Sequence, residues 1–345
     1  MKTSRKLAIY AAMAATAALA VTGCTQRNSD EPGASGGEGG EGDGSVTVAF
    51  VPKLQGIPYF EAMNTGGEQA AEDLGFEWLY QGPTTADAAA QAEIVRSFIQ
   101  QEVDVLFVAP NDPDSMAPVL EEAQNAGIHV ATTDTDAPDS VRELFVNQAT
   151  AEGLGTALTD QLMDAMGGSG KYAIVSCGET AANLNSWIEV QKEHTANEYP
   201  DAEIVDIVYA GEDQAQATQM ATNLMNAHPD LTGLVGECTS SAPGVAQAVT
   251  DAGRIGEVFT VGLGTPQAMQ PYLESGASSA SVLWNVEDLG YLTGWAGLQL
   301  ANGDEIEAEP QVDDIEGPTY DADSHVLLLG PPMIITADNA GDFDY

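Results

Sequence analysis

Residues 46–345 predict an α/β protein of two doubly wound parallel-sheet lobes with a ligand cleft between them. Three observations carry this. Short β-branched runs alternate with helical segments, which is the pattern of a parallel sheet covered on both faces. The pattern restarts after Gly167-Gly168-Ser169-Gly170. About 300 residues are too many for one small core and suit two lobes of about 150. Open α/β sheets bind ligands at the carboxyl ends of their strands, so two facing lobes bring those ends to one cleft.

In the first array, strands are expected at Val46–Phe50, Phe76–Tyr80, Val103–Ala109, Ile128–Thr133 and Leu144–Val146. Helices are expected at Tyr59–Leu74, at Asp87–Gln101 with Ile94, Val95, Phe98 and Ile99 on one face, and at Ser115–Ala126, ended by Gly127. The second array opens with a helix at Ala151–Met166. Strands follow at Lys171–Ser176, Glu203–Tyr209, Leu231–Gly236, Val258–Gly262 and Ser279–Trp284. They alternate with helices at Ser186–Tyr199, Gln214–Asn226, Pro243–Ala252, Gln267–Glu274 and Asp288–Leu300. The tail holds Val326–Leu329 and a last extended stretch.

The N-terminus reads as a processing signal. Lys2, Arg5 and Lys6 precede an Ala-rich apolar run from Leu7 to Val21, then Thr22-Gly23-Cys24. Positive charge, an apolar run and small residues in that order define a secretory signal over residues 1–23. The run is short for a membrane span, which needs about 20 residues. A Cys directly after Gly at the cleavage point resembles the lipobox of prokaryotic lipoproteins. The resemblance implies that Cys24 carries lipid and anchors the chain to the cell membrane; an ordinary cleavage site or an uncleaved anchor helix is the alternative. Residues 24–45, rich in Gly, Ser and Glu, cannot bury a core and read as a flexible tether.

The chain has 53 acidic and 10 basic residues. The leader holds three of the basic residues and no acid, so the rest carries seven bases against 53 acids, a net charge of −46. Such a surface repels nucleic acid and anionic lipid and needs screening counterions to stay compact. A protein built for high salt fits this; plain acidic solubility is the competing account. Beyond the leader, lysine occurs only at Lys53, Lys171 and Lys192.

The strand ends carry a family likeness. Phe50-Val51-Pro52-Lys53, Tyr80-Gln81-Gly82-Pro83-Thr84, Thr133-Asp134-Thr135-Asp136 and Val146-Asn147-Gln148 lie in the first array. Asn183-Leu184-Asn185-Ser186-Trp187, Gly262-Leu263-Gly264-Thr265-Pro266, Leu283-Trp284-Asn285 and Thr336-Ala337-Asp338-Asn339 follow. In this order the segments resemble the periplasmic sugar-binding proteins of type I fold, and within them the branch that binds rhamnose or autoinducer-2. The resemblance implies the external receptor of an ATP-driven (ABC) importer, partnered by a membrane permease; a monomer without cofactor or metal is expected. It also implies a three-crossing hinge, expected near Gln148, Thr265 and Asp288. The lobes would then be 46–148 plus 266–288 and 149–265 plus 289–345.

The expected site follows from the same positions. Autoinducer-2 receptors place a ligand-bonding lysine where this chain has Lys53, and similarity to ribose and autoinducer-2 receptors puts Asp134 on ligand hydroxyls. Asp136 reads either as a second acceptor or as the start of a turn before Pro138. Tyr59 and Phe60 sit where ribose-type receptors carry stacking aromatics, and they equally suit helix core. Trp284 likewise reads as cleft wall or buried core. The autoinducer-2 receptors use an Asp-Gln pair where this chain has Asn183 and Leu184, and a Pro and an Ala where it has Glu237 and Thr239. The expected ligand therefore moves to a monosaccharide such as rhamnose, or a related polyol. Asn183, Asn185, Glu237, Thr239, Thr265 and Asn285 are the candidate strand-end partners, because Asn, Asp and Glu meet hydroxyls through two atoms each. An autoinducer-2 or other signal receptor is the alternative function.

Cys177 and Cys238 end the first and third strands of the second array. The usual strand order makes those strands neighbours, close enough for a disulfide; two small buried thiols are the alternative. His129, His194, His228 and His325 lie in no metal spacing. No G-x-S-x-G elbow or phosphate loop occurs, so the expectation is a binding protein and not an enzyme.

Overall fold

The computed structural model describes residues 45–313 and 315–345. The expected leader, the Cys24 anchor and the tether lie outside them, except for Ser45.

The first lobe begins β1 (Thr47–Val51), α1 (Pro58–Leu74), β2 (Glu77–Tyr80), α2 (Ala88–Gln101), β3 (Val105–Val108), α3 (Pro113–Asn125), β4 (His129–Thr133) and β5 (Leu144–Asn147). The second lobe follows with α4 (Ala151–Met166), β6 (Gly170–Ser176), α5 (Ala182–Glu198), β7 (Ala202–Tyr209), α6 (Gln214–Ala227) and β8 (Leu231–Gly236). It continues through α7 (Ser241–Asp251), β9 (Phe259–Gly262), α8 (Pro266–Ser275) and β10 (Ala280–Leu283). The chain returns to the first lobe as α9 (Val286–Asn302), β11 (Thr319–Asp321) and β12 (Val326–Leu328). It ends on the second with β13 (Met333–Ile335) and a short 3₁₀ turn at Ala340–Asp342.

The first sheet has the order β11-β12-β5-β4-β3-β1-β2, the second β13-β10-β9-β8-β6-β7. All neighbours are parallel except the edge pairs β11–β12 and β10–β13. The two-lobe α/β fold is as expected; the division of the chain between the lobes is not. Residues 266–283 belong to the second lobe, because β10 pairs with β9 in its sheet. Helix α9 belongs to the first, packed along α1 and against β3 and β5. The crossings therefore fall after Asn147, after Leu283 and after Leu328, near Gln148 and Asp288 as expected but not near Thr265.

Alternate residues of each central strand feed opposite cores, as a two-residue period requires. Val48 and Phe50 of β1 face one cluster while Ala49 and Val51 face the other. In β6, Tyr172 and Ile174 part from Ala173 and Val175 in the same way. The cluster containing Phe50 runs without a break into Trp187, Trp284 and Leu263, so the apolar core is continuous through the hinge. Asp87, Asp112, Thr150 and Asp213 each accept the backbone N–H three residues on and so start α2, α3, α4 and α6. Each such cap is worth about 1 kcal/mol.

The α1–α9 seam is set by glycine. A Cβ on Gly66 would overlap the Glu287 carbonyl, and one on Gly290 would overlap the Met63 carbonyl. Backbone therefore meets backbone there, which fixes α9 immediately after the second crossing. Among the described residues, no helix is long and apolar enough to cross a membrane.

Candidate functional site

A cavity with about 380 Å³ of empty space, open solvent included, lies between the lobes at their strand ends. The first lobe supplies Lys53 after β1, Tyr59 and Phe60 from the first turn of α1, and Asp134 after β4. The second supplies Asn183, Leu184 and Trp187 from α5, Glu212 after β7, Cys238 and Thr239 after β8, and Leu263 after β9. Trp284 enters from the second crossing.

A polar bridge spans this cleft. Lys53, 5% exposed, donates to Asn183 Oδ1 at 3.0 Å and pairs with Asp134 Oδ2 at 3.3 Å. Asp134 is a dense acceptor, receiving the Tyr59 hydroxyl at 2.7 Å and the Thr135 hydroxyl at 3.0 Å. Asn183 Nδ2 reaches the Asp134 carbonyl at 3.4 Å, and Thr180 Oγ1 donates to the Asn111 carbonyl at 3.0 Å. These contacts join the lobes. Asp134 holds φ +63°, a left-handed conformation that costs most residues energy but that Asp tolerates comparatively well. Such strain persists where surroundings over-determine it, and here three side chains grip the carboxylate. Burial, then the neighbouring Asp134 charge, pushes the Tyr59 hydroxyl well above its usual pKa, so it stays a donor.

Aromatic rings also line the cavity. Trp284 stands edge-on to Tyr59 at 5.8 Å and to Trp187 at 6.0 Å. Its indole Nε1 is buried without a completed hydrogen bond. A polar bridge in a ring-lined cavity suits a small ligand that offers both hydroxyls and C–H groups.

Seven of the expected residues line the cavity: Lys53, Tyr59, Phe60, Asp134, Asn183, Thr239 and Trp284. Five do not. Asp136 is held by Arg142, at 2.7 and 2.8 Å, and opens the turn through the Ala137 N–H, so the turn reading is the correct one. Asn185 donates to the Glu179 carbonyl and braces the loop before α5. Glu237 is fully buried behind the cleft, where Gln191 Nε2 donates to both its oxygens at 2.8 and 2.7 Å. Burial raises its carboxyl to about pKa 8. Thr265 is buried at the start of α8 and Asn285 caps α9, accepting from the Glu287 and Asp288 N–H groups.

Ile57, Trp187, Glu212 and Leu263 line the cavity although they were not among the expected ligand residues. Trp187 had a signal: it lies four residues after Asn183 and so shares its helix face. Glu212 had one too, since it follows β7 at a carboxyl strand end.

Cys177 and Cys238 are disulfide-bonded, with Cα atoms 6.1 Å apart at the ends of the neighbouring strands β6 and β8. Glu212 lies beside them, and the three side chains form a cluster of metal-ligating type. With the sulfurs bonded to each other, no thiolate is left to ligate a metal.

Against known proteins, the periplasmic binding protein domain model matches residues 48–305. LsrB from Clostridium saccharobutylicum, in complex with AI-2, superposes with a TM-score of 0.82 at 27% identity, covering 87% of this chain and 100% of that one. An ABC transporter solute-binding protein from Clostridium phytofermentas with bound L-rhamnose gives 0.81 at 29% identity, covering 86% and 98%. The D-ribose/D-allose-binding protein of Pseudomonas aeruginosa is 27% identical over 238 residues, covering 66% of this chain and 74% of that protein. The chain is a two-lobed binding protein of the type I fold, and it belongs to the periplasmic binding protein family.

Proposed function

We propose that the protein is the extracytoplasmic receptor of an ABC importer and captures a rhamnose-like monosaccharide or related polyol by hinge closure. The observation that carries this reading is the Lys53–Asp134–Asn183 bridge across a cavity walled by Tyr59, Phe60, Trp187 and Trp284. Relatives named for ribose, allose and L-rhamnose binding support it. Ligand contacts on both lobes favour the closed form, and closure is what a permease reads. Leu184 favours a sugar over autoinducer-2, because it presents an apolar wall where autoinducer-2 receptors are expected to carry an amide. Lys53 and Asp134 keep the signal-receptor reading as the second one, in line with the likeness to the AI-2 complex. Cys24 is the proposed lipid anchor, with residues 25–45 as the tether and the acidic surface as an adaptation to salt.

Thermal shift at molar salt against pentoses, hexoses, deoxysugars, polyols and autoinducer-2 tests this directly, since a ligand of the native state raises the melting temperature. A deoxyhexose or polyol is expected to give the largest shift. A shift with autoinducer-2 alone would select the signal-receptor reading. Asp134→Asn keeps a residue that tolerates the left-handed backbone but removes the charge. It is expected to weaken calorimetric affinity about 10- to 100-fold and, because the buried Lys53 ammonium loses its partner, to lower unliganded melting as well; unchanged affinity in the folded variant would remove Asp134 from the site.

A further inference from the structure

We propose that Glu212 is a specificity-determining acceptor of the cleft: its free carboxylate oxygen takes hydroxyl donors from a neutral sugar or polyol, and the same group excludes acidic sugars. The inference rests on the reading of the cavity as a sugar site and adds which sugars it takes.

Glu212 sits in the short turn between β7 and α6 and lines the cavity with Lys53 and Asp134. The turn is fixed before any ligand arrives. The Ala210 N–H donates to the Ser176 carbonyl at 2.8 Å and the Gly211 N–H to the Cys177 carbonyl at 3.1 Å. Gly211, at φ +64°, supplies the left-handed residue the turn needs. The Cys177–Cys238 disulfide ties this turn to the β8 end, whose Ser240 hydroxyl donates to Glu212 Oε2 at 3.2 Å. An acceptor held this way loses little freedom when it binds.

Two further observations give it a ligand role. Among the described residues, no group donates a hydrogen bond to Glu212 Oε1, although that residue lines the cavity. Glu212 is half-buried, and while burial pushes its carboxyl up the Lys53 charge pulls it back. Lys53, meanwhile, is already engaged by Asp134 and Asn183. Lys53 is the one basic residue in the cavity lining, so two carboxyl groups share one ammonium. A ligand hydroxyl satisfies Oε1. A ligand carboxylate would enter with no free cation to meet it and two acids opposite, which is strongly disfavoured in a buried site.

The test is calorimetry and thermal shift on the wild type, Glu212→Gln and Glu212→Ala, with L-rhamnose, D-ribose, xylitol and D-galacturonate as probes. The wild type is expected to bind at least one neutral probe and to leave D-galacturonate unbound. Glu212→Ala should weaken the same neutral probe about tenfold or more, and Glu212→Gln, which keeps one acceptor, by less. Melting without ligand checks that both variants are folded. Affinities of both variants within about twofold of the wild type overturn the role of Glu212 and leave the sugar reading standing, as does wild-type binding of D-galacturonate on a par with the neutral probes. Failure of the wild type to bind any neutral probe would instead sink the sugar reading, and this inference with it.

Discussion

Lys53 Nζ lies 3.0 Å from Asn183 Oδ1, a hydrogen bond from the first strand end of one lobe to the first helix turn of the other. The same ammonium neutralises Asp134 at 3.3 Å. One side chain thus solves a local problem, a buried carboxylate, and a global one, the alignment of the lobes. Removing the amide separates the two roles. Asn183→Ala leaves the Lys53–Asp134 pair intact and deletes two interlobe contacts. Unliganded protein should then favour the open form, read as a larger radius of gyration in solution scattering. Ligand affinity should fall about three- to tenfold, since one net hydrogen bond is worth about 1 kcal/mol. An unchanged radius and affinity would show that Asn183 does not hold the lobes.

Glu237 predicts a pH effect of definite sign. Its folded pKa is raised from 4.5 to about 8. The unfolded chain therefore gives up the proton first as pH rises, and stability falls between about pH 4.5 and 8. The full effect is on the order of 5 kcal/mol by linkage. Glu237→Gln keeps the shape and the Gln191 partner while removing the titration. The variant should melt with the wild type near pH 5 and above it at pH 8. Parallel melting curves at the two pH values would show that the carboxyl is not held neutral.

The Cys177–Cys238 bond closes a loop with a sequence separation of 61 residues. A chain-entropy estimate makes that worth about 4 kcal/mol. Paired Cys177→Ser and Cys238→Ser substitutions should lower denaturant stability by an amount approaching that figure. Intact mass should rise by two hydrogens on reduction of the described domain. Two thiols that alkylate without reductant would show that the bond is not formed.

Gly66 has no room for a side chain, because the Glu287 carbonyl occupies the place of its Cβ. Gly66→Val should force α1 and α9 apart and cost about 3 kcal/mol or more, read as a drop in melting temperature. Gly75→Ala is the control for a nearby glycine with open space around its Cβ position, where only the positive φ of +80° opposes the change. Equal losses in the two variants would argue against close helix packing.

Period and punctuation made most of the elements legible. Val105–Val108 and Leu231–Gly236 lie in two of the expected strands, and Gly127 stands just past the end of α3 as expected. Strand β11 was not legible: Thr319–Asp321 is three exposed or half-exposed residues, an edge with no burial pattern to read. Lys53 stood out as a rare cation in an acidic chain, whereas Asp134 was assigned through the family likeness.

The sequence by itself determined the alternation of strands and helices, the count of two lobes and the strand ends from which a cleft must be built, because periodicity and turn residues are local. Only the tertiary structure decided which segment belongs to which lobe, since β10 joins a sheet by hydrogen bonds to a distant strand and α9 leaves it to pack on α1. It also decided which strand-end residues face the cavity. Asp136 turns to Arg142, Asn285 to its own helix and Glu237 to Gln191, while Glu212 and Trp187 turn inward. Each choice depends on a partner far away in the chain, and a polar side chain in a closed site goes to whichever partner satisfies it.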